Sequence, residues 1–294
     1  MPAHAEPPRG RIEGPWSSRL RAGAPGASVD LDAFDTGATP GVLDKDDGEA
    51  SFRGTGKSLA RLQEQLFAAS TVSGGPTARS VLLVLQGMDT SGKGGIVRHV
   101  VGAVDPQGVH HHAFTAPTEE ELAHDFLWRV RRELPGPGMI GVMDRSHYED
   151  VLVGKVRELA PLDEIERRYE AITEFERELV EQGTVLVKVM LHISYDEQKE
   201  RLRERLDRPD KHWKYEPGDI DERNLWTDYQ AAYDEAIRRT STPAAPWHVV
   251  PADRKWYARV AVQALLTDAL RGLDLAWPPA HFDVDVERVR LAAS

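Results

Sequence analysis

"VLLVLQGMDTSGKGGIVRHVV", residues 81–101, decides how the chain is read. Val81–Gln86 is a short, continuous apolar run that ends at a glycine. Its length and its Val content predict a fully buried parallel strand. Gly87–Lys93 then spells G-x-x-x-x-G-K, and helical pattern resumes at Ile96. A phosphate cradle needs these parts in this order. The strand fixes the start of the loop, the helix N-terminus faces the anion, backbone N–H groups converge on it, and a lysine adds a mobile charge. Gly87, Thr90, Ser91, Gly92, Gly94 and Gly95 are therefore phosphate-binding candidates, with Lys93 as the catalytic cation. A ligand-free glycine turn between strand and helix is the plainer reading, but strand, spacing, lysine and helix all agree on the cradle.

The loop departs from the common pattern at Gly94, where many such loops carry Ser or Thr to hold Mg²⁺. Asp89, inside the loop, is an unusual neighbour for phosphates unless a cation lies between. Thr90 and Ser91 are weaker alternatives. A second carboxylate, Asp144, ends the apolar run "MIGVMD", where a Walker-B-like Asp belongs. Ligands of parallel sheets collect at the C-terminal ends of the strands, which puts Gly87 and Asp144 on one rim. Asp144 either completes a Mg²⁺ site with Asp89 or orients the acceptor group; its plainer role would be to cap the next helix. Arg145 beside it can neutralise a phosphoryl group in transfer.

A decoy lies upstream. "GTGKS", Gly54–Ser58, has the more familiar ending, yet its lead-in is "DDGEASFR" and not a strand. It reads as a helix N-terminus entered through a flexible glycine pair, with Thr55 or Ser58 as cap.

Around the loop, buried strands are predicted at Met139–Asp144, Val185–Ile193 and from Trp247, and a further strand at "HHHAF" ending at Phe114. Helical patterns lie between them, and Thr118–Glu121 spells a capping box before Leu122, Phe126 and Val130. The alternation predicts an α/β protein with a parallel sheet covered on both faces. With 294 residues, 40 % of them hydrophobic, the chain can bury a large core. Residues 1–29 read as a disordered tail and 30–294 as one domain, with Asp30–Phe52 an extended arm lying on it. There is no cysteine, which excludes disulfides and thiol chemistry. No apolar run approaches a membrane span and no signal-peptide core opens the chain, so the expectation is a cytoplasmic protein without a membrane partner. A net charge of −11 argues against nucleic-acid binding but leaves room for a local cationic cleft.

The largest concentration of cations is "KERLRERLDRPDKHWK", residues 199–214. Arg201, Arg205 and Arg208 share a helical side, Pro209 breaks the helix, and Lys211 and Lys214 follow. Either this is a solvated helix of Glu/Arg pairs or a lid, about 196–222, that carries cations over phosphates and excludes water.

The ordered set "GMDTSGKGG", "DPQGV", "HDFLWR", "DRSHYEDVL", "LHIS", "HWKY" and "APWHVVPADRKWY" resembles the type 2 polyphosphate kinases, over roughly Asp30 to Leu273. The resemblance implies a three-layer P-loop kinase fold like that of thymidylate kinase, with a helical lid. It implies Mg²⁺-dependent phosphoryl transfer between inorganic polyphosphate and adenine nucleotides, AMP or ADP, and a homo-oligomer, dimer or tetramer. By position it gives catalytic roles to Asp89, Lys93, Asp144, Arg145 and Arg205, and phosphate contacts to the lid cations, including Lys211 and Lys214. Asp125, Arg129, Tyr148 and Glu149 are the candidates for the acceptor nucleotide. "HDFLWR" and "SHYEDVL" look like the branch that takes both AMP and ADP, whereas Asp144 and Gly94 look like the other branches.

Three further features are set aside. His110 and His112 share a strand face but lack further partners for a metal. Trp226, Tyr229 and Tyr233 read as core, and the tail arginines as solvated. The competing functions are an ATP-dependent nucleoside monophosphate kinase and a non-catalytic phosphate or nucleotide sensor.

Overall fold

The computed structural model describes residues 14–71 and 79–294. In chain order the elements are α1 (Trp16–Leu20), α2 (Lys45–Thr71), β1 (Ser80–Gln86), α3 (Lys93–His99), β2 (Val109–Ala113), α4 (Glu119–Leu122), α5 (Leu127–Arg132) and β3 (Ile140–Asp144). There follow α6 (Glu149–Val156), α7 (Leu162–Glu181), β4 (Thr184–His192), α8 (Tyr195–Asp207), α9 (Gly218–Asn224), α10 (Trp226–Thr240), β5 (Trp247–Pro251), α11 (Lys255–Arg271) and α12 (Val284–Ala292). A 3₁₀ segment, Pro209–Lys214, links α8 to α9.

The five strands form one parallel sheet in the order β2-β3-β1-β4-β5. Every residue of β1 is buried, as its unbroken apolar run requires. Alternation along β1 divides the core. Leu82 and Val84 pack with Tyr148, Ile172, Phe175 and Tyr233 on one face; Val81, Leu83 and Leu85 pack with Leu59, Ile96, Val262 and Leu266 on the other. Helices thus cover both faces and the result is the three-layer α/β fold that the pattern predicts. Replacing Leu83, which has no exposed surface, by Ala would cost about 2–5 kcal/mol. Among the described residues no helix is long and apolar enough to cross a membrane.

The N-terminal third corrects the sequence reading. Residues 1–13 of the expected tail lie outside the described residues. Residues 14–29, also expected as tail, are packed: Leu20, Ala22 and Val29 are buried, and the Ala22 N–H bonds the Trp247 carbonyl at 2.9 Å. The free edge of β5 supplies the partner that the composition could not reveal. The last part of the expected extended arm, residues 45–52, is helix, because α2 begins at Lys45, with Asp44 Oδ1 accepting from the Asp47 N–H. "GTGKS" is therefore interior to α2 and is no helix start. Tertiary packing overrides the poor helix propensity of its glycines. A Cβ at Gly48 would stand 2.4 Å from the Trp256 ring, so the glycine admits α11 at close range.

The capping box forms at Thr118, but its helix is a single turn. A fresh start follows at Leu127, whose N–H bonds Asp125 Oδ1 at 3.0 Å.

Candidate active site

The loop after β1 is shaped by three left-handed residues. Gly87 (φ 146°) and Gly92 (φ 114°) flank Thr90 (φ 66°). At Gly87 a Cβ would come within 2.6 Å of the Leu191 carbonyl and 2.7 Å of Ser91 Oγ, so only glycine fits. Gly92 then caps α3, whose first residue is Lys93. Lys93 Nζ donates to the Gly87 carbonyl at 2.6 Å and to the Met88 carbonyl at 3.5 Å. These are neutral acceptors that an entering phosphate can replace. Thr90 Oγ1 and Ser91 Oγ are buried without a partner among the described residues.

Arg201 holds the loop from below. Its Nη1 donates to the Thr90 and Ser91 carbonyls (2.8 and 3.0 Å), Nη2 to the Ala252 and Asp253 carbonyls (2.6 and 3.0 Å), and Nε to Glu197 (2.7 Å). These contacts use all five guanidinium donors. Arg201 was expected to bind phosphate; its place is that of a buried clamp on the loop backbone.

β3 runs beside β1 with Asp144 opposite Leu85, which brings the second carboxylate to the loop. Arg145 follows with φ 65°, a left-handed turn that swings its side chain toward Asp89, Nη2 to Oδ1 3.2 Å. Burial pulls the Arg145 guanidinium down, but Glu149, Asp89 and Asp144 together outweigh it and hold its pKa above the ordinary value. Burial raises the Glu149 carboxyl, against the pull of Arg145 and Lys93.

The same turn points Ser146, His147 and Tyr148 inward. Tyr148 has no exposed surface; its hydroxyl lies 2.7 Å from Glu176 Oε1 and 2.9 Å from Thr240 Oγ1. Lys188, equally buried, donates to Glu176 (2.5 Å), the Tyr148 hydroxyl (3.1 Å) and the Thr240 carbonyl (2.8 Å). Tyr148 is therefore not an acceptor contact but part of the core that anchors the turn.

Two clefts meet at the loop. The larger, about 650 Å³, is lined by the loop from Asp89 to Gly95, by Asp144 and Arg145, and by the lid cations Arg205, Lys211 and Lys214. Arg98, Lys255 and Arg259 extend its positive wall, and sequence reasoning missed all three. Lys255 had been visible inside "ADRKWY"; Arg98 lies one helical turn beyond Lys93. Arg205 Nη1 is held at 2.8 Å from the Lys214 carbonyl and 3.0 Å from Asp219 Oδ2. Arg208, expected here, is outside: it is exposed and bonds Glu204 on α8 and Asp210 in the 3₁₀ segment that follows.

The smaller cleft, about 390 Å³, is lined by Arg129, Glu149, Asp150, Tyr229 and Tyr233, with the exposed side chains Leu122 and Leu159 at its wall. Of the aromatic residues read as core, Tyr229 and Tyr233 are buried and also face this space, whereas Trp226 is partly buried and lies outside it. Arg129 is fixed by the Thr115 carbonyl (2.9 Å) and by Asp150 (3.6 Å). Asp125 does not reach the cleft; it caps α5 and pairs with Arg167 at 3.3 Å. Leu122 had been read only as part of a helical stripe, and nothing in the local pattern marked Leu159 as a cleft residue. Asp89, Lys93 and Arg145 line both clefts.

His110 Nε2 and His112 Nδ1 both meet Glu133 Oε2, at 3.0 and 3.1 Å, as their shared face allows. No group of three or more His, Asp or Glu able to hold a metal occurs among the described residues.

A parallel sheet with a G-x-x-x-x-G-K loop at its rim, a strand-end Asp and a cationic lid defines a P-loop kinase. The family model described as Polyphosphate kinase 2 matches residues 42–276, and the chain belongs to that family. It is 47 % identical to the AMP/ADP-polyphosphate phosphotransferase of Meiothermus ruber over 222 residues, 76 % of this chain and 80 % of that protein. It is 37 % identical to the ADP-polyphosphate phosphotransferase of Rhodopseudomonas palustris over 265 residues, 86 % and 89 % of the two chains. The crystal structure of Polyphosphate Kinase 2 from Arthrobacter aurescens superposes with a TM-score of 0.91 at 54 % identity, covering 96 % of this chain and 99 % of that one.

Proposed function

We infer that the protein transfers phosphoryl groups between inorganic polyphosphate and a nucleoside mono- or diphosphate, AMP or ADP. One observation carries this reading: a cationic cleft and a second, partly apolar cleft share the wall formed by Asp89, Lys93 and Arg145. A donor of repeating phosphates suits the first, which is the more cationic of the two. A nucleotide suits the second, where Leu122 and Leu159 provide apolar contact and Arg129 and Arg145 provide charge. The transferring group would lie at the shared wall.

The donor set fits Mg²⁺. Two carboxylates from separate elements, without a full protein cage, suit an ion that keeps waters and takes phosphate oxygens as its other ligands. Asp89 and Asp144 would hold it, and it would neutralise charge on the bridging phosphates. Lys93 exchanges the Gly87 and Met88 carbonyls for phosphate oxygens and, with the loop amides, fixes the donor. Arg145 neutralises the group in transfer from the β3 side, and Arg205 does so from the lid. The acceptor oxygen is already anionic, so positioning and charge neutralisation supply most of the rate and no strong base is needed. One domain that takes in the packed residues 14–29 as well as 30–294, with residues 196–222 closing over the donor, accommodates this chemistry. A homo-oligomeric assembly is part of the same proposal and is tested by light scattering.

The experiment offers AMP and ADP to the purified protein with Mg²⁺, each with polyphosphate or ATP as donor. Nucleotide product from polyphosphate is expected. Product from ATP alone would replace this reading with a nucleoside monophosphate kinase, and tight binding without turnover would replace it with a sensor.

A further inference from the structure

Within the cationic cleft stands a carboxylate that the mechanism does not use. Glu204, on α8, places Oε1 3.0 Å from Lys211 Nζ and Oε2 3.0 Å from Lys255 Nζ. Its Oε1 also lies 3.2 Å from Arg208 Nη1. Lys211 belongs to the 3₁₀ segment of the lid, and Lys255 opens α11 on the body of the domain. Glu204, Lys211 and Lys255 all line the cleft, so the carboxylate ties lid to body across the space assigned to the donor. The hydrogen bonds from Lys211 and Lys255 push its pKa down to about 2, so it is anionic at every working pH.

We propose that Glu204 is an internal competitor of the donor: it is an anion that occupies Lys211 and Lys255 until the phosphates of a donor displace it. The idea rests on the reading of this cleft as the donor site. Its physical basis is competition. The three side chains are 29–46 % exposed, so each pair is weak and exchangeable. A donor phosphate that reaches either lysine must first break its pair with Glu204, and a donor that engages both gives up both pairs. Lys93, by contrast, is hydrogen-bonded only to neutral carbonyls and meets no such competitor. One turn along α11 from Lys255, burial and the neighbouring Arg98 lower the pKa of Arg259, and burial, Arg259 and Arg98 lower that of His99. Like charges there repel one another, and an incoming polyanion relieves the repulsion. Competition with the donor is thus concentrated at Glu204.

The test is Glu204→Gln, which keeps the shape and removes the charge. The control is Glu200→Gln on the same helix, which makes the same change in net charge; Glu200 pairs with Arg203 at 2.6 Å and lies outside the cleft. Binding of tripolyphosphate and of long-chain polyphosphate, without nucleotide, is measured by calorimetry, and KM and kcat with ADP by initial rates. For E204Q, affinity for tripolyphosphate and for the long chain should both rise about threefold to tenfold, and kcat should hold. E200Q should match the unaltered protein. Equal behaviour of the two variants, or weaker donor binding by E204Q, would overturn the proposal. The second result would mean that Glu204 organises the lysines for the donor. Failure of the unaltered protein to use polyphosphate at all would instead overturn the reading of the cleft, so the two failures are distinguishable.

Discussion

Two stretches of this chain pair glycines with a lysine, and only one is built to hold phosphate. Gly87–Gly95 leaves a fully buried strand, turns through left-handed residues and ends on α3 with Lys93 facing both clefts. Gly54–Ser58 lies inside α2, where Lys57 is exposed and its amides are taken up by the helix ladder. The letters favour the second; the setting favours the first. A phosphate loop is defined by the strand that stops and the helix that starts, because only that junction leaves several amides without partners.

The comparison is broken most directly at the lysines. Lys93→Ala should lower the rate of nucleotide formation about a thousandfold, as loss of a charge acting on the transferring group does, while Lys57→Ala leaves it unchanged. Initial rates under saturating Mg²⁺ decide it, and equal losses would return Lys57 to consideration.

The glycines should respond with opposite sign. Gly87→Ala forces a Cβ against the Leu191 carbonyl at a left-handed position, with an expected cost of about 1–3 kcal/mol and loss of most activity. Gly54→Ala meets nothing within 4 Å inside a helix and should stabilise by about 0.5–1 kcal/mol. Denaturant midpoints read both. Stabilisation by the first would remove the geometric argument for the loop.

A smaller effect separates the two regions by pH. Burial raises the Glu149 carboxyl in the cleft, whereas no such group lies near Lys57. A carboxyl whose folded pKa is raised favours folding below its unfolded pKa, near 4.5, and loses that contribution as pH rises through the folded value. Glu149→Gln should therefore raise Tm by a few degrees at pH 7 and not at pH 4, although activity falls. An equal shift at both pH values would show that charge burial is not the cause.

All five strands, the capping box at Thr118 and the break at Pro209 were legible in sequence, because each rests on local periodicity or a local backbone constraint. The failures share a cause. Arg201 lies within α8 and Arg208 just past its end, yet one spends its donors on carbonyls of two distant loops and the other faces solvent. Tyr148 and Arg145 are three residues apart on one turn, and a single left-handed residue sends them to opposite sides. Residues 14–29 looked like tail by composition and are ordered by the edge of β5. Which way a side chain points at a turn, and what arrives from elsewhere to meet it, is not written in local pattern. Lys255, Leu159 and the place of Leu122 on the cleft wall were missed for the same reason.

The central claim is that one wall serves two separate clefts. Steady-state kinetics with polyphosphate and ADP each varied, for Leu122→Ala and Lys255→Ala, test it most directly. Leu122→Ala should raise KM for the nucleotide alone, and Lys255→Ala KM for polyphosphate alone, each about threefold to tenfold. If both substitutions raised KM for the same substrate, the assignment of donor and acceptor to separate clefts would be wrong.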